Sequence, residues 1–100
     1  MVRIPKSFKL FGTTINVVFD NKYCNDKSRY GESNYGGSKI TLSTTQGLDE
    51  LSEDKIIDTF YHEKVHMILD TMGERDISTN ENFVDIFAKL LRQSDITAEY

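Results

Sequence analysis

Two histidines and one glutamate in the segment 62–66 have the spacing of a metal centre. His62 and His66 are the only histidines in the chain, and Glu63 directly follows the first. Residues four apart lie on the same face of an α-helix, so both imidazoles can reach one metal ion. The pattern H-E-x-x-H is typical of zinc sites in which the glutamate accepts a proton from a water that the metal activates. The segment therefore predicts hydrolytic zinc chemistry, with Glu63 as the general base.

A second motif, N-E-x-x-x-D at residues 80–85, supplies two carboxylates at helical spacing. If the two motifs lie on antiparallel helices, Glu81 lies level with His66, because four residues rise about 6 Å in either helix. By the same argument Asp85 lies level with His62. Glu81 then completes a His/His/Glu ligand set whose fourth position is open, as in catalytic zinc sites. We expect Asp85 to accept a hydrogen bond from the outer ring N–H of His62 and so fix its tautomer.

The sequence patterns place both motifs inside helices. Ser52 is a favourable N-cap, two acidic residues after it suit the positive helix start, and Gly73 favours a stop. The H-E-x-x-H segment therefore lies in the middle of the first helix. The second helix is expected to start near Ser78 or Thr79 and to end before a short, partly mobile tail at residues 94–100. Its apolar residues have helical spacing and predict a buried stripe formed by Phe83, Ile86, Phe87, Leu90 and Leu91, which Val84 and Ala88 widen. Glu81 and Asp85 lie beside the Val84/Ala88 edge, where they can face a neighbouring helix.

The first half of the chain is predicted to form β-strands. Apolar and polar residues alternate at 8–10 and 15–19, on either side of a turn at Gly12. Residues 20–29 are predicted to be a polar loop. A second hairpin is expected over residues 30–43, with two glycines at its turn. The whole chain therefore predicts an α+β protein in which a small sheet precedes two helices.

Length, charge and cysteine content favour one small globular domain over residues 1–100. Residues 1–47 have a net charge of +4 and residues 48–100 a net charge of −8. The positive charges are scattered rather than clustered, so we expect no nucleic-acid partner. The sequence lacks an apolar run of roughly 18 residues and a signal peptide, and the single Cys24 cannot form an internal disulfide. These features predict a monomeric, cytoplasmic protein that does not contact membranes.

The chain resembles the gluzincin metallopeptidases, the clan of thermolysin. The resemblance lies in five residues: His62, Glu63, His66, Glu81 and Asp85. The small size is most similar to that of the single-domain minigluzincins. The resemblance implies Zn²⁺, an endopeptidase activity and a minimal zincin-like fold, with a small antiparallel sheet followed by an active-site helix and a glutamate helix. It also implies that an edge strand pairs with a peptide or protein substrate, and residues 38–43 are our candidate. Four tyrosines are candidates for the residue that stabilises the oxyanion: Tyr30, Tyr35, Tyr61 and Tyr100.

Several alternatives stay open at the level of sequence. Glu74 and Asp76 are the main alternative third ligands, whereas Asp70 is a poor one because a straight helix cannot present it together with both histidines. Glu81 could instead form a capping box with Ser78. The alternative function is a non-enzymatic or latent zinc-binding module that recruits a peptide or protein partner. The presence of Glu63 favours an enzyme, since a structural zinc site does not need this residue.

Overall fold

The fold combines a four-stranded sheet, a pair of short strands and two long helices. The structure is a computed structural model that describes residues 4–100. This arrangement confirms the predicted α+β class. No helix within the described range has the length and apolar character needed to cross a membrane. In chain order the elements are β1 (Ser7–Leu10), β2 (Thr13–Phe19), α1 (Asn21–Asp26), β3 (Gly31–Asn34), β4 (Lys39–Leu42), β5 (Thr45–Gln46), β6 (Asp49–Glu50), α2 (Glu53–Met72), α3 (Arg75–Ser78) and α4 (Glu81–Thr97).

The four-stranded sheet is mixed rather than antiparallel. Its strand order is β1-β2-β4-β3, in which β1 and β3 pair antiparallel with their neighbours while β2 and β4 pair in parallel. The expectation of an antiparallel sheet is therefore wrong at the β2–β4 pair. Both α1 and β3 lie between these two strands in sequence. Such a long connection lets the chain return and enter β4 in the direction of β2, which a short hairpin cannot do.

Both predicted hairpins form, but the edge strand differs from the prediction. Phe11 and Gly12 connect β1 to β2 with φ values of 49° and 79°, the left-handed conformation of tight hairpin turns. A second turn connects β3 to β4. Because β4 lies between β2 and β3, residues 38–43 cannot offer a free edge, and that prediction is wrong. The free edge on this side of the sheet belongs to β3.

Residues 20–29, predicted to be a loop, contain the helix α1. The side chain of Asp20 accepts a hydrogen bond from the backbone N–H of Tyr23 at 3.0 Å and caps this helix. Cys24 lies on its inner side and is buried. The polar composition of the segment concealed the helix, since an aspartate favours an N-cap as well as a loop. The burial of Cys24 fits a structural residue.

The helix α2 begins and ends where the sequence predicts. The Ser52 side chain accepts a hydrogen bond from the Lys55 N–H at 3.1 Å, and Gly73 ends the helix with a φ of 80°. Removal of apolar side chains from water at the interface between α2 and the sheet is the main stabilising contribution to the core. The buried side chains at this interface come from β2, β4 and α2: Ile15, Val17, Ile40, Leu42, Ile57, Phe60, Tyr61, Val65, Met67 and Leu69.

The helix α4 starts later and ends later than predicted. Asn80 is its N-cap, because its side chain accepts a hydrogen bond from the Phe83 N–H at 3.1 Å. Ser78 instead lies at the end of the short helix α3, so the capping box of Ser78 with Glu81 does not form. Residues 94–97, assigned to a mobile tail, continue α4 to Thr97.

Only one edge of the predicted apolar arc of α4 faces the core. Val84 and Ala88 are buried, whereas four of the five residues of the predicted stripe are 40–61% exposed: Phe83, Ile86, Phe87 and Leu90. Glu81, Arg92 and Asp95 contact α2 beside these two buried residues. The apolar pattern therefore predicts the helix and its inner edge at Val84 and Ala88 correctly, but the rest of the predicted arc faces outward because polar side chains of α4 make the remaining contacts with α2.

Candidate metal centre

Both histidines project from the same face of α2, near the middle of the helix. Their Nε2 atoms are 3.2 Å apart, and the two rings meet edge to face. Burial lowers the pKa of His66, although the neighbouring Glu81 carboxylate opposes this shift. A lower pKa favours the neutral imidazole, which is the form that binds a metal.

Glu81 reaches the two histidines from the first turn of α4. Its Oε2 lies 3.1 Å from His62 Nε2, and its Oε1 lies 3.2 Å from His66 Nε2. Together the three residues form a group that could hold a metal ion. Tetrahedral ligands at 2.0–2.1 Å from a zinc ion are separated by roughly 3.3 Å. The separation of the two imidazole nitrogens is close to that value, and each nitrogen has one Glu81 oxygen at a similar distance, so the three side chains could hold a metal of this size.

The helices α2 and α4 run antiparallel, which accounts for this convergence. Arg92, late in α4, donates hydrogen bonds at 2.6 Å to Asp58 and at 2.8 Å to Asp54, both early in α2. Tyr61 donates a hydrogen bond at 2.7 Å to Asp95. These contacts fasten one end of α4 to α2, and Glu81 meets the histidines at the other end. The antiparallel arrangement inferred from sequence is therefore present.

Ser78 contacts the outer nitrogen of His66 and was not predicted as part of the site. Its buried Oγ lies 3.1 Å from His66 Nδ1. If the ring N–H donates to this oxygen, the tautomer leaves the Nε2 lone pair directed at the metal position. The segment between α2 and α4 contains α3, and this short helix brings Ser78 back against α2. Nothing in the sequence predicts this contact, since Ser78 is twelve residues beyond His66 and reaches it only through the turn of α3.

We expect the substitution Ser78→Ala to weaken zinc affinity roughly tenfold, because loss of such an outer hydrogen bond lets the imidazole reorient. A competition titration against a chromophoric chelator would measure the affinity. Thr79→Ala is the matched control, since the Thr79 hydroxyl donates only to the Asp76 carbonyl and does not contact a ligand. Equal affinity in wild type and Ser78→Ala would show that Ser78 does not orient the ring.

Glu63 lies one residue after His62 but faces the sheet edge rather than the metal ligands. Burial raises its pKa to about 7; the Glu81 carboxylate adds to this shift, and hydrogen bonding by Ser33 of β3 opposes it. A carboxylate whose pKa lies near neutrality can both accept and donate a proton, as a general base requires. The position beside the ligands and outside the ligand group suits such a role.

An open cleft of about 360 Å³ extends from His62 and Glu63 between α2, α4 and β3. Gly31 of β3 forms part of its wall. A Cβ atom at this position would lie 2.7 Å from Thr59 Cγ2, so only glycine lets the edge strand approach α2 this closely. Lys55 lines the cleft with its ammonium group 4.2 Å from the centre of the Tyr30 ring. The edge strand and the potential metal site therefore border the same space.

Asp85 lines this cleft but does not bond to His62. Its Oδ1 accepts a hydrogen bond from Lys89 at 2.7 Å, which lowers the Asp85 pKa. Among residues 4–100, no hydrogen bond joins Asp85 to the imidazole. Lys89 lies one turn later in α4 and pairs with the Asp85 carboxylate, so the expected hydrogen bond between Asp85 and His62 is not formed. A role for Asp85 in orienting His62 stays a prediction.

The other sequence candidates lie apart from the metal-ligand group. Asp70 is 3.6 Å from Arg75, and in the described part of the chain neither it nor Glu74 or Asp76 joins the cluster. Of the four candidate tyrosines, Tyr30 is the one that lines the cleft. Tyr61 is buried with its hydroxyl bonded to Asp95, and this burial raises its pKa to about 12.

Comparisons with known proteins identify no relative of this chain. It matches no protein-family model, no curated protein and no solved structure. The resemblance to gluzincins therefore depends on five residues and their arrangement: His62, Glu63, His66, Glu81 and Asp85.

Proposed function

We propose that this protein is a zinc-dependent endopeptidase of the gluzincin type. The observation that supports this most is the convergence of His62, His66 and Glu81, with separations of 3.1–3.2 Å between their ligand atoms. Glu63 lines the cleft that extends from His62 between α2, α4 and β3. A purely structural zinc site does not require such a carboxylate, whereas hydrolysis by an activated water does.

The donor set suits zinc among the common divalent metals. Two imidazoles and one carboxylate match the ligands of catalytic zinc sites, which keep a further position open. Zinc, when bound, would polarise the scissile carbonyl and lower the pKa of a water molecule. Glu63 accepts the proton of that water and passes it to the nitrogen of the departing amine. Tyr30 is the candidate for a hydroxyl that stabilises the developing negative charge, since it lines the cleft.

The substrate is proposed to be an extended peptide that pairs with β3. This strand has one free edge, and its residue Ser33 is close enough to Glu63 to influence the pKa of that carboxyl. Backbone hydrogen bonds to a free strand edge can hold a peptide with little dependence on its sequence. The cleft beside His62 then has room for a side chain next to the scissile bond.

We expect the zinc-loaded protein to cleave members of a diverse peptide library, and mass spectrometry would identify the new ends. A chelator should abolish cleavage and added zinc should restore it, because the ligands persist without the metal. Cleavage that survives chelation would point to a contaminating peptidase or a different mechanism. If no peptide is cleaved while zinc still binds, the hypothesis of a non-enzymatic binding module gains support, since β3 can recruit a peptide without chemistry.

A further inference from the structure

The outward surface of α4 lacks charge, although the helix contains five charged residues. Glu81 contacts the histidines, Asp85 bonds Lys89 beside the cleft, and Arg92 and Asp95 bond residues of α2. All five therefore lie on the side of the helix near α2 and the cleft. Four large apolar residues lie on the opposite side and face solvent: Phe83, Ile86, Phe87 and Leu90. The helix therefore has a second apolar side in addition to Val84 and Ala88, which are buried as in an ordinary surface helix.

This outward surface continues onto the end of α2 and onto α3. We call the α4 face the set of exposed apolar side chains formed by Phe83, Ile86, Phe87, Leu90, Met72 and Ile77. A cavity of about 400 Å³ lies within it, lined by Met72, Ile77 and the two phenylalanines, and also by Glu74. Six side chains of this size, about half exposed, present on the order of 500 Å² of apolar surface, near the upper end for a monomer. An apolar patch of that size is often functional.

We propose that the α4 face binds a second copy of this chain, to form a two-fold symmetric dimer in which α4 packs against α4 of its partner. Two such faces together bury on the order of 1,000 Å², the area at which specific interfaces begin. A two-fold contact brings the same patch together with itself, so it tolerates no net charge at its centre. The chain has a net charge of −4, and its second half is strongly acidic. The exposed side chains that α4 contributes to this face are apolar, so two copies can meet along α4 without opposed carboxylates, and Glu74 lies beside the cavity rather than on α4.

This dimer leaves the candidate metal centre accessible. Asp85 and Lys89 line the cleft from the other side of α4, and the residues of the α4 face point away from it. The inference therefore does not depend on the proposed peptidase activity. The proposed dimer differs from the monomer expected from the sequence. That expectation did not consider which residues of α4 face outward.

Sedimentation velocity over roughly micromolar to hundred-micromolar concentrations would test the dimer, since weak complexes are found at the small end of interface sizes. Ile86→Glu should shift the protein to a monomer throughout that range, since it buries a charge within the contact. Ile96→Glu is a closely matched control, because it is the same substitution in the same helix. Ile96 is 50% exposed and Ile86 is 51% exposed, but Ile96 lies outside the α4 face. It should leave the dimer intact.

If Ile86→Glu is poorly folded, a second measurement tests the proposal: the amide chemical shifts of the wild type over a dilution series. The shifts that change with concentration should map to residues 83–90. A wild type that is monomeric at every concentration would overturn the proposal, even if another protein covers the face. A dimer that persists in folded Ile86→Glu, or shifts that map elsewhere, would overturn it as well.

Discussion

Glu63→Gln is expected to lower peptidase activity at least roughly a hundredfold, the lower range for loss of a general base, and to leave zinc affinity nearly unchanged. Glutamine keeps the size and hydrogen-bonding capacity of the side chain but cannot accept the proton of the attacking water. The ligand atoms belong to His62, His66 and Glu81, so the metal site itself stays intact. Cleavage rates on one library-derived peptide and a zinc titration of the same protein would measure the two effects separately.

Glu53→Gln is the matched control for this experiment. Glu53 lies in the first turn of the same helix, is exposed and is remote from the ligand cluster. Its substitution should leave both activity and zinc affinity unaltered. If Glu63→Gln cleaves peptides as fast as wild type, another group removes the proton and the proposed mechanism is wrong. If Glu63→Gln loses zinc as well as activity, Glu63 supports the ligands rather than acting as a base.

The metal-ligand cluster was predictable from sequence because it depends on local geometry. The periodicity of an α-helix determines that His62 and His66 share a face, and a strong N-cap at Ser52 and stop at Gly73 define that helix. The antiparallel return of a second helix then brings Glu81 to the same level. No comparable rule exists for the connector between them. Ser78 reaches His66 through the turn of α3, a contact that depends on tertiary packing.

The remaining errors have a common physical origin in tertiary context. A hydrophobic pattern shows that α4 is amphipathic but not which neighbour takes each side. In this protein Arg92, Asp95 and Glu81 bond to α2, so the charged side faces inward and Phe87 faces out. Strand order has the same limitation. The alternation of β4 predicted a strand correctly but could not tell that this strand pairs with both β2 and β3.

His66→Ala is expected to reduce zinc affinity by more than roughly a hundredfold. Loss of an outer-shell partner alone costs ten- to a hundredfold, and this substitution removes a ligand. The wild type should bind about one zinc ion per chain, and chelation should lower its melting temperature because the metal binds only the folded site. Elemental analysis after dialysis, and thermal unfolding with and without chelator, would measure both properties. In His66→Ala the melting temperature should no longer respond to the chelator.

Asp70→Asn provides the control that separates the candidate ligands. Asp70 lies one turn beyond His66 on α2, is 3.6 Å from Arg75 and stands outside the ligand group. Its substitution should preserve zinc affinity, whereas Glu81→Gln should weaken it because a charged ligand is lost. A wild type that binds less than roughly a tenth of an equivalent after zinc addition would remove the basis for a zinc centre, since tetrahedral donor sets of this kind hold the metal tightly. If Asp70→Asn and not Glu81→Gln abolished binding, the metal would lie farther along α2, and the convergence of Glu81 on the two histidines would have to be a simple hydrogen-bond cluster.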